Sequence, residues 1–598
     1  MRPIALFTAA LSLLACSAGA PSNNTFDDAS STDATRDLPL DTPVDSVAAD
    51  ARDDLAADIT APDVTAPDVT VTDTPPPDTQ SPDVTPPMDV TGDITIDRAD
   101  VAADLTPDVS DGARDIPQDL ADAPRDVTVS DVTRTFPAGI GMGASTALPP
   151  ERRVTCGTPS TATPRVTPGA ADRFVLRGRV VTPTGVLSPG EVLITGANLT
   201  CVAARCDTRA GYAGATVIET AGIIYPGLVN THDHPQYDFL PPWTPPMLYG
   251  NSDQWQAATA YRAVTEPLRT NEAMHTCAML KWGELRAIVS GTTAVQGSLN
   301  RVCATRTLAR NVEYGTDFGG VDTHRTNTLG IASVAAADAT SLRAAISAGT
   351  VTAYILHLSE GVNEAAWREW GMLIARDLLV PPLVVIHGTA LGREEFDAMA
   401  SVRARLIWSP RSNMVLYGRT TDVGAALDAG LTVALAPDWT PTGSPNLLVE
   451  MRYAREFSRA AMGGRLTSRD IFEMATSRAA QAVDRPQIGA LVEGRYADVT
   501  VIPDRGCDAY DSILDAPVAD VRLVMIGGRP MYGDAAVMDA VPAAARARCE
   551  PATFCGQDKR ICVALADTTN ELDRTMVQID AELRAFSTPY ALVPQCPP

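Results

Sequence analysis

Short apolar runs that each end in a histidine or an acidic residue constrain this chain more than any other feature. The first, Ile223-Ile224-Tyr225-Pro226-Gly227-Leu228-Val229-Asn230-Thr231, runs into His232-Asp233-His234-Pro235. On a strand, residues i and i+2 point to the same face, so both imidazoles can converge on one metal ion. A β-branched and aromatic run, Thr352–Leu358, ends in His357, and Glu360 follows closely. Leu383–Ile386 ends in His387. Leu406-Ile407-Trp408 leads into Ser409-Pro410-Arg411-Ser412-Asn413, and Leu431–Ala436 into Pro437-Asp438. The chain has only six histidines, and four stand at these run ends. One His-x-His is a weak signal; the ordered set points to a metal site.

The run Pro226-Gly227-Leu228-Val229-Asn230-Thr231-His232-Asp233-His234 resembles the first barrel strand of the amidohydrolase superfamily. His357 with Glu360 looks like the His-x-x-Glu of its deaminase-like branch, which includes cytosine and guanine deaminases and atrazine chlorohydrolase. Pro410 to Asn413 resembles the family's Pro-x-Ser-Asn turn, and Asp438 falls where it places its eighth-strand Asp. Gly291-Thr292-Thr293-Ala294-Val295 looks like the second strand, and strands three and four are expected within Arg310–Val334. Ile471–Thr476 resembles the Met-Ala-Thr helix, with Thr467 and Asp470 as its capping pair. Trp439 and Gly361 depart from the family's usual residues, which leaves the substrate open.

The resemblance implies an α/β fold: a (β/α)₈ TIM-type barrel over residues 223–487, with the site at the C-terminal strand ends. Residues 170–222 and 488–535 are rich in short β-branched runs separated by turn signals. They are expected to form a small β-sandwich flanking the barrel. Residues 536–598 are read as a Cys-containing C-terminal extension.

The lysine inventory bears on metal count. Binuclear members bridge two metals with a carboxylated lysine on strand four, yet this chain has only Lys281 and Lys559, neither placed for that role. The expectation is one metal, held by His232, His234, His357 and Asp438. Three imidazoles and a carboxylate suit zinc, and iron is also acceptable. By the same resemblance, Asp438, Glu360 and His387 are the catalytic residues: proton acceptor, proton shuttle, and water-orienting or polarising group. His387 is left open as a possible ligand. The reaction implied is hydrolysis of a carbon–nitrogen bond in a small molecule such as a cyclic amidine, amide or lactam. Two alternatives are another hydrolysis on the same fold and a non-catalytic surface lipoprotein that uses the barrel as a binding module. Arg411 and Trp439 are candidate pocket residues. His324 is weighed as a pocket or solvated loop residue, and His275 as structural.

The N-terminus carries a different signal. Arg2 precedes a short apolar run, Ile4–Ala15, too short to span a bilayer. Leu13-Leu14-Ala15-Cys16 resembles the bacterial lipobox, which implies residues 1–16 as a signal peptide and lipidated Cys16 as a membrane anchor. Ser17 favours the outer membrane, with the facing side undetermined. Residues 17–135 read as a disordered Asp/Pro/Thr-rich stalk. Pro21–Thr135 holds 27 Asp, no Glu and 6 Arg, a net of −21 against −25 for the whole chain. Frequent proline, few large apolar groups and like-charge repulsion favour an extended segment. The acidity therefore says nothing of the substrate, and the absence of a basic-aromatic patch argues against nucleic-acid binding. Ten cysteines remain besides Cys16, an even number that fits disulfides in an oxidising compartment. Cys201 and Cys206 are close enough to staple a hairpin. The pairing of the others and the oligomeric state are not legible.

Overall fold

The computed structural model describes residues 139–142, 156–157 and 160–596, apart from 299–302, 304–306, 547, 567–569 and 595. The expected signal peptide, Cys16 anchor and stalk lie outside the described residues.

Eight short strands carry the site. They are Leu228–Asn230, Thr292–Val295, Arg310–Asn311, His324–Asn327, Ala353–Leu358, Leu383–His387, Arg405–Trp408 and Thr432–Leu435. The first three and the last five form two arcs, parallel throughout. The arcs meet at a parallel bridge between Asp233 and Asp438, where the Asp438 N–H donates to the His232 carbonyl at 3.2 Å. At the other seam the Thr326 hydroxyl donates to Glu313 on the neighbouring arc. The arrangement is of the TIM-barrel type.

Alternation along the strands builds two cores. Val229, Ala294, Ile355, Ile386, Ile407 and Ala434 share one inner cluster. Their neighbours Leu228, Val295, Leu356, Val385, Leu406 and Val433 pack outward in a second cluster with residues of the surrounding helices. Thr467 and Asp470 make a reciprocal capping box on helix Ser468–Met474.

The flanking segments share one hydrogen-bonded network of ten strands, and residues from its two halves, among them Phe174, Val192, Val499 and Leu523, pack into one core cluster. Antiparallel pairing of Ala215–Pro226 with Val499–Pro503 joins its N-terminal and C-terminal contributions. The C-terminal extension is not separate either: Gln557–Ala564 pairs with Arg529–Asp534 and carries Arg548–Phe554 beyond it. The apolar run at Ile223 likewise belongs to two elements. Ile223–Pro226 ends a strand of the large sheet, and the barrel begins at Leu228, after Gly227. A Cβ on Gly227 would lie 2.1 Å from the Thr293 hydroxyl, so the closeness of two barrel strands demands glycine there.

All ten described cysteines are paired: Cys156–Cys507, Cys201–Cys206, Cys277–Cys303, Cys549–Cys562 and Cys555–Cys596. Among the described residues, no helix is long and apolar enough to cross a membrane.

Candidate metal centre

Local hydrogen bonds shape the turn that carries the first two histidines. The Asp233 carboxylate accepts from Asn230 Nδ2 at 2.6 Å and from the His234 N–H at 2.8 Å. His232 is 1 % exposed. Its Nε2 lies 3.1 Å from Asp438 Oδ1, and His234 Nε2 lies 3.5 Å from the same oxygen. His357 points inward from its strand, its ring 4.7 Å from that of His232 and 5.9 Å from that of His234. Ligand atoms of His232, His234 and His357 lie within 4.8 Å of one another, as do those of His232, His387 and Asp438. The structure thus brings together all six residues singled out for the site. His232 Nε2 and His357 Nδ1 are buried without a hydrogen-bond partner. Orphaned buried nitrogens are costly unless something binds them, so the donor set fits a divalent metal ion.

Electrostatics agree with that use. Burial, then the charges of neighbouring histidines, lower His357 well below its ordinary value and bring His387 down to about 3. The same causes bring His234 down to about 4. Neutral imidazole is the ligating form. Burial pushes the Asp438 carboxyl up, but His232 beside it more than offsets this and holds it ionised below the usual carboxylate range. Ser412 donates to Asp438 Oδ2 at 2.6 Å, leaving Oδ1 for the histidines.

Glu360 behaves oppositely. Burial, then the charge on Asp438, push its carboxyl up to about 8. The Tyr417 hydroxyl donates to Glu360 Oε1 at 2.6 Å, and its oxygen accepts from the Trp255 indole at 2.8 Å. Glu360 Oε2 lies 3.8 Å from His387 Nε2. Two carboxyl groups in one cavity are thus held in opposite protonation states, the separation that acid–base chemistry uses.

His387 reaches the cavity by a local distortion. Strand alternation faces Val384 and Ile386 inward, which would turn residue 387 away. Its left-handed backbone, φ 67°, breaks the alternation. The cavity is lined by His234, His357, Glu360, His387 and Asp438 together with Tyr237, Trp255, Tyr261, Trp439, Gln256 and Thr328. Trp439 stacks on Trp255 at 5.8 Å and meets Tyr237 edge-on at 5.4 Å. No lysine or arginine lines this cavity among the described residues.

Trp439 was the one cavity aromatic legible beforehand. The motif reading does not reach Tyr237, Trp255 and Tyr261, although a stretch rich in Trp and Tyr downstream of a His-x-His is a usable signal. Arg411 does not line the cavity; its guanidinium lies 6.0 Å from the Tyr453 ring. His324 is neither in the pocket nor solvated: it is 5 % exposed, its Nε2 2.6 Å from the Val483 carbonyl. His275 pairs with Glu582 at 2.8 Å. Lys281 and Lys559 are buried elsewhere, bound to the Val563 and Val521 carbonyls.

The parallel strands, in an arrangement of the TIM-barrel type, carry at their C-terminal ends a His/Asp cluster that could hold a metal ion. Residues 332–531 match the model of the Amidohydrolase family. A 5-methylthioadenosine/S-adenosylhomocysteine deaminase of Nitratidesulfovibrio vulgaris is 30 % identical over 173 residues, 26 % of this chain and 38 % of that protein. A probable guanine deaminase of Schizosaccharomyces pombe is 28 % identical over 132 residues, 21 % of this chain and 25 % of that protein. The chain spans less than half the length of these relatives. Among solved structures, a zinc-bound adenosine deaminase from Xanthomonas campestris aligns with a TM-score of 0.52 at 16 % identity. It covers 70 % of this chain and 98 % of its own. Zinc-complexed atrazine chlorohydrolase from Arthrobacter aurescens aligns with a TM-score of 0.50 at 16 % identity, over 69 % of this chain and 99 % of its own. At these identities the two structures speak to the fold.

Proposed function

We propose that this chain is a metal-dependent hydrolase that breaks a carbon–nitrogen bond in a small, flat heterocycle. The observation that carries the reading is geometric: Glu360, buried and bonded through Oε1 to Tyr417, shares one cavity with His234, His357, His387 and Asp438, its carboxyl pushed up to about 8 while Asp438 is held below the usual carboxylate range.

One zinc or iron ion per chain would be held by His232, His234, His357 and Asp438 and would supply Lewis acidity that acidifies a water molecule. Asp438 accepts the water proton. Glu360, with Tyr417 occupying Oε1, donates its proton from Oε2 to the departing nitrogen. His387, facing Glu360, steadies charge that develops at the attacked carbon. Water oxygen bonds to carbon, the carbon–nitrogen bond breaks, and the nitrogen leaves as ammonia or an amine. The walls of Tyr237, Trp255 and Trp439 suit a planar ring by stacking. Among the described residues no lysine or arginine lines the walls, which favours a neutral or cationic substrate over one with a phosphate or carboxylate far from the metal. Cyclic amidines and lactams fit; 5-methylthioadenosine and guanine, named for the relatives, are the probes.

The test is metal content by plasma mass spectrometry together with ammonia release from those two compounds. About one zinc or iron per chain, lost in Asp438→Ala, with ammonia release abolished in Glu360→Gln, supports the reading. A chain that holds no metal after reconstitution overturns it and puts the binding-module alternative in front.

We also propose that the protein is exported and anchored through Cys16. The pairing of all ten described cysteines supports an oxidising compartment. Palmitate labelling abolished by Cys16→Ala would support the anchor; unchanged labelling would sink it.

A further inference from the structure

His232 and His387 each meet a side-chain carboxamide through Nδ1, and the two carboxamides face them in opposite senses. Glu313 receives three donors: the Gly297 N–H at 2.9 Å, the Thr326 hydroxyl, and Gln296 Nε2 at 3.3 Å. A carboxylate only accepts, so Gln296 must turn its nitrogen to Glu313 and its oxygen to His232 Nδ1, 3.4 Å away. With a metal bound, Nδ1 then carries the proton and His232 Nε2 offers its lone pair to the ion, in place of the 3.1 Å approach to Asp438 Oδ1.

The chain behind His387 starts from a group that can only donate. The Trp408 indole N–H points at Thr420 Oγ1 at 2.9 Å. That oxygen therefore accepts, and its own proton goes on to Asn413 Oδ1 at 3.1 Å. Asn413 must present Nδ2 to His387 Nδ1, at 3.1 Å. Nδ1 then accepts, and the ring proton sits on Nε2, the nitrogen facing Glu360. Trp408, Asn413 and Thr420 are each 0 % exposed, so water does not compete for these bonds. Two backbone bonds to Ile140, at 2.7 and 2.8 Å, hold Thr420 in place.

We propose that Gln296 and Asn413 set His232 and His387 in opposite tautomers, making the first a metal ligand and the second a proton donor. Thr420 is the positioning residue that orients Asn413. The assignment rests on the metal-centre reading, while its consequence for turnover rests on the hydrolase reading.

The experiment is a ring-nitrogen NMR spectrum of the full chain labelled with [15N]histidine, recorded with and without zinc. His387 is expected to carry its proton on Nε2 in both spectra, whereas His232, His234 and His357 shift as zinc is added. In Asn413→Asp the new carboxylate accepts from Nδ1, the proton leaves Nε2, and His387 becomes zinc-responsive. Thr420→Val frees Asn413 to rotate and gives the same response, and Thr420→Ser restores the original spectrum. If Asn413→Asp does not fold, the Thr420 pair carries the decision. A wild-type His387 protonated on Nδ1, or one that loses its Nε2 proton when zinc is added, overturns the assignment. So does an unchanged His387 tautomer in both Asn413→Asp and Thr420→Val. These spectra need no substrate, so absence of hydrolysis would defeat the functional reading and leave the tautomers standing. If both hold, Thr420→Val lowers kcat by about 10²-fold, the lower end of what general acid–base catalysis contributes.

Discussion

Glu450 is fully buried, on helix Leu447–Ala461, and burial pushes its carboxyl from an ordinary 4.5 up to about 7. The folded protein therefore holds this proton where the unfolded chain would release it. The associated stability is fully present below the unfolded value of 4.5 and is lost as pH rises through about 7. At about 1.4 kcal/mol per pH unit, roughly 3 kcal/mol is at stake as an upper bound. Glu450→Gln is expected to flatten the decline, so that urea unfolding of the metal-free protein separates variant from wild type more at pH 8 than at pH 5. An equal separation at the two pH values would contradict the assignment. Glu360 stands in a similar state for a different purpose. Glu360→Gln keeps the shape and removes the transferable proton, so kcat should fall by about 10²- to 10⁴-fold while bound metal stays at the wild-type level. Retained activity would remove Glu360 from the mechanism. At this scale the sequence spoke clearly: four histidines and two carboxylates were legible because each stands at the end of an apolar run. Tyr417, Asn413 and Thr420 gained meaning only from their neighbours in space.

The loop after the eighth barrel strand does more than connect. It carries Asp438 in a left-handed conformation, φ 72°, with Trp439 beside it, and the Gly443 N–H closes it by donating to the Trp439 carbonyl at 2.8 Å. A Cβ on Gly443 would lie 1.8 Å from the Pro437 carbonyl oxygen, which is backbone and cannot swing aside. Gly443→Ala should therefore displace Asp438 and weaken metal binding by at least about 10-fold, read by competition with a chromogenic chelator. Wild-type affinity would show that the loop relaxes freely. Strand boundaries were the least legible elements. Ile223 to Asn230 reads as one apolar run, yet Pro226 and Gly227 divide it between two sheets, because pairing with Val499–Pro503 claims its first half.

At the scale of the whole molecule, the C-terminal extension supports the site from behind. Arg286, 1 % exposed, donates to the carbonyls of Asp238, Pro445 and Ala591. It so ties the extension to the loops that follow both the His-x-His and Asp438. The Trp282 indole donates to the Tyr590 carbonyl at 2.9 Å, and Cys555–Cys596 staples the tail to the large sheet. Removing residues 536–598 is expected to leave Lys281 and Trp282 without their carbonyl partners and to take one of three from Arg286. Unsatisfied buried donors cost on the order of 1–3 kcal/mol each, more for charged ones. The truncated chain should therefore unfold at markedly lower temperature in calorimetry; an unchanged melting temperature would make the extension an accessory.

The order of the candidate ligands along the chain, the barrel class and the even count of pairing cysteines are legible in the amino-acid sequence, because periodicity and spacing are local and survive any arrangement of the rest. The merging of both flanks and the tail into one sheet, the partners of the cysteines and the aromatic walls depended on contacts between residues far apart in the chain. So did the protonation of Glu360, set by burial and by the charge on Asp438, and the two histidine tautomers, set by which end of a carboxamide faces each ring. Those are properties of distance and dielectric, and only the folded structure brings them into being.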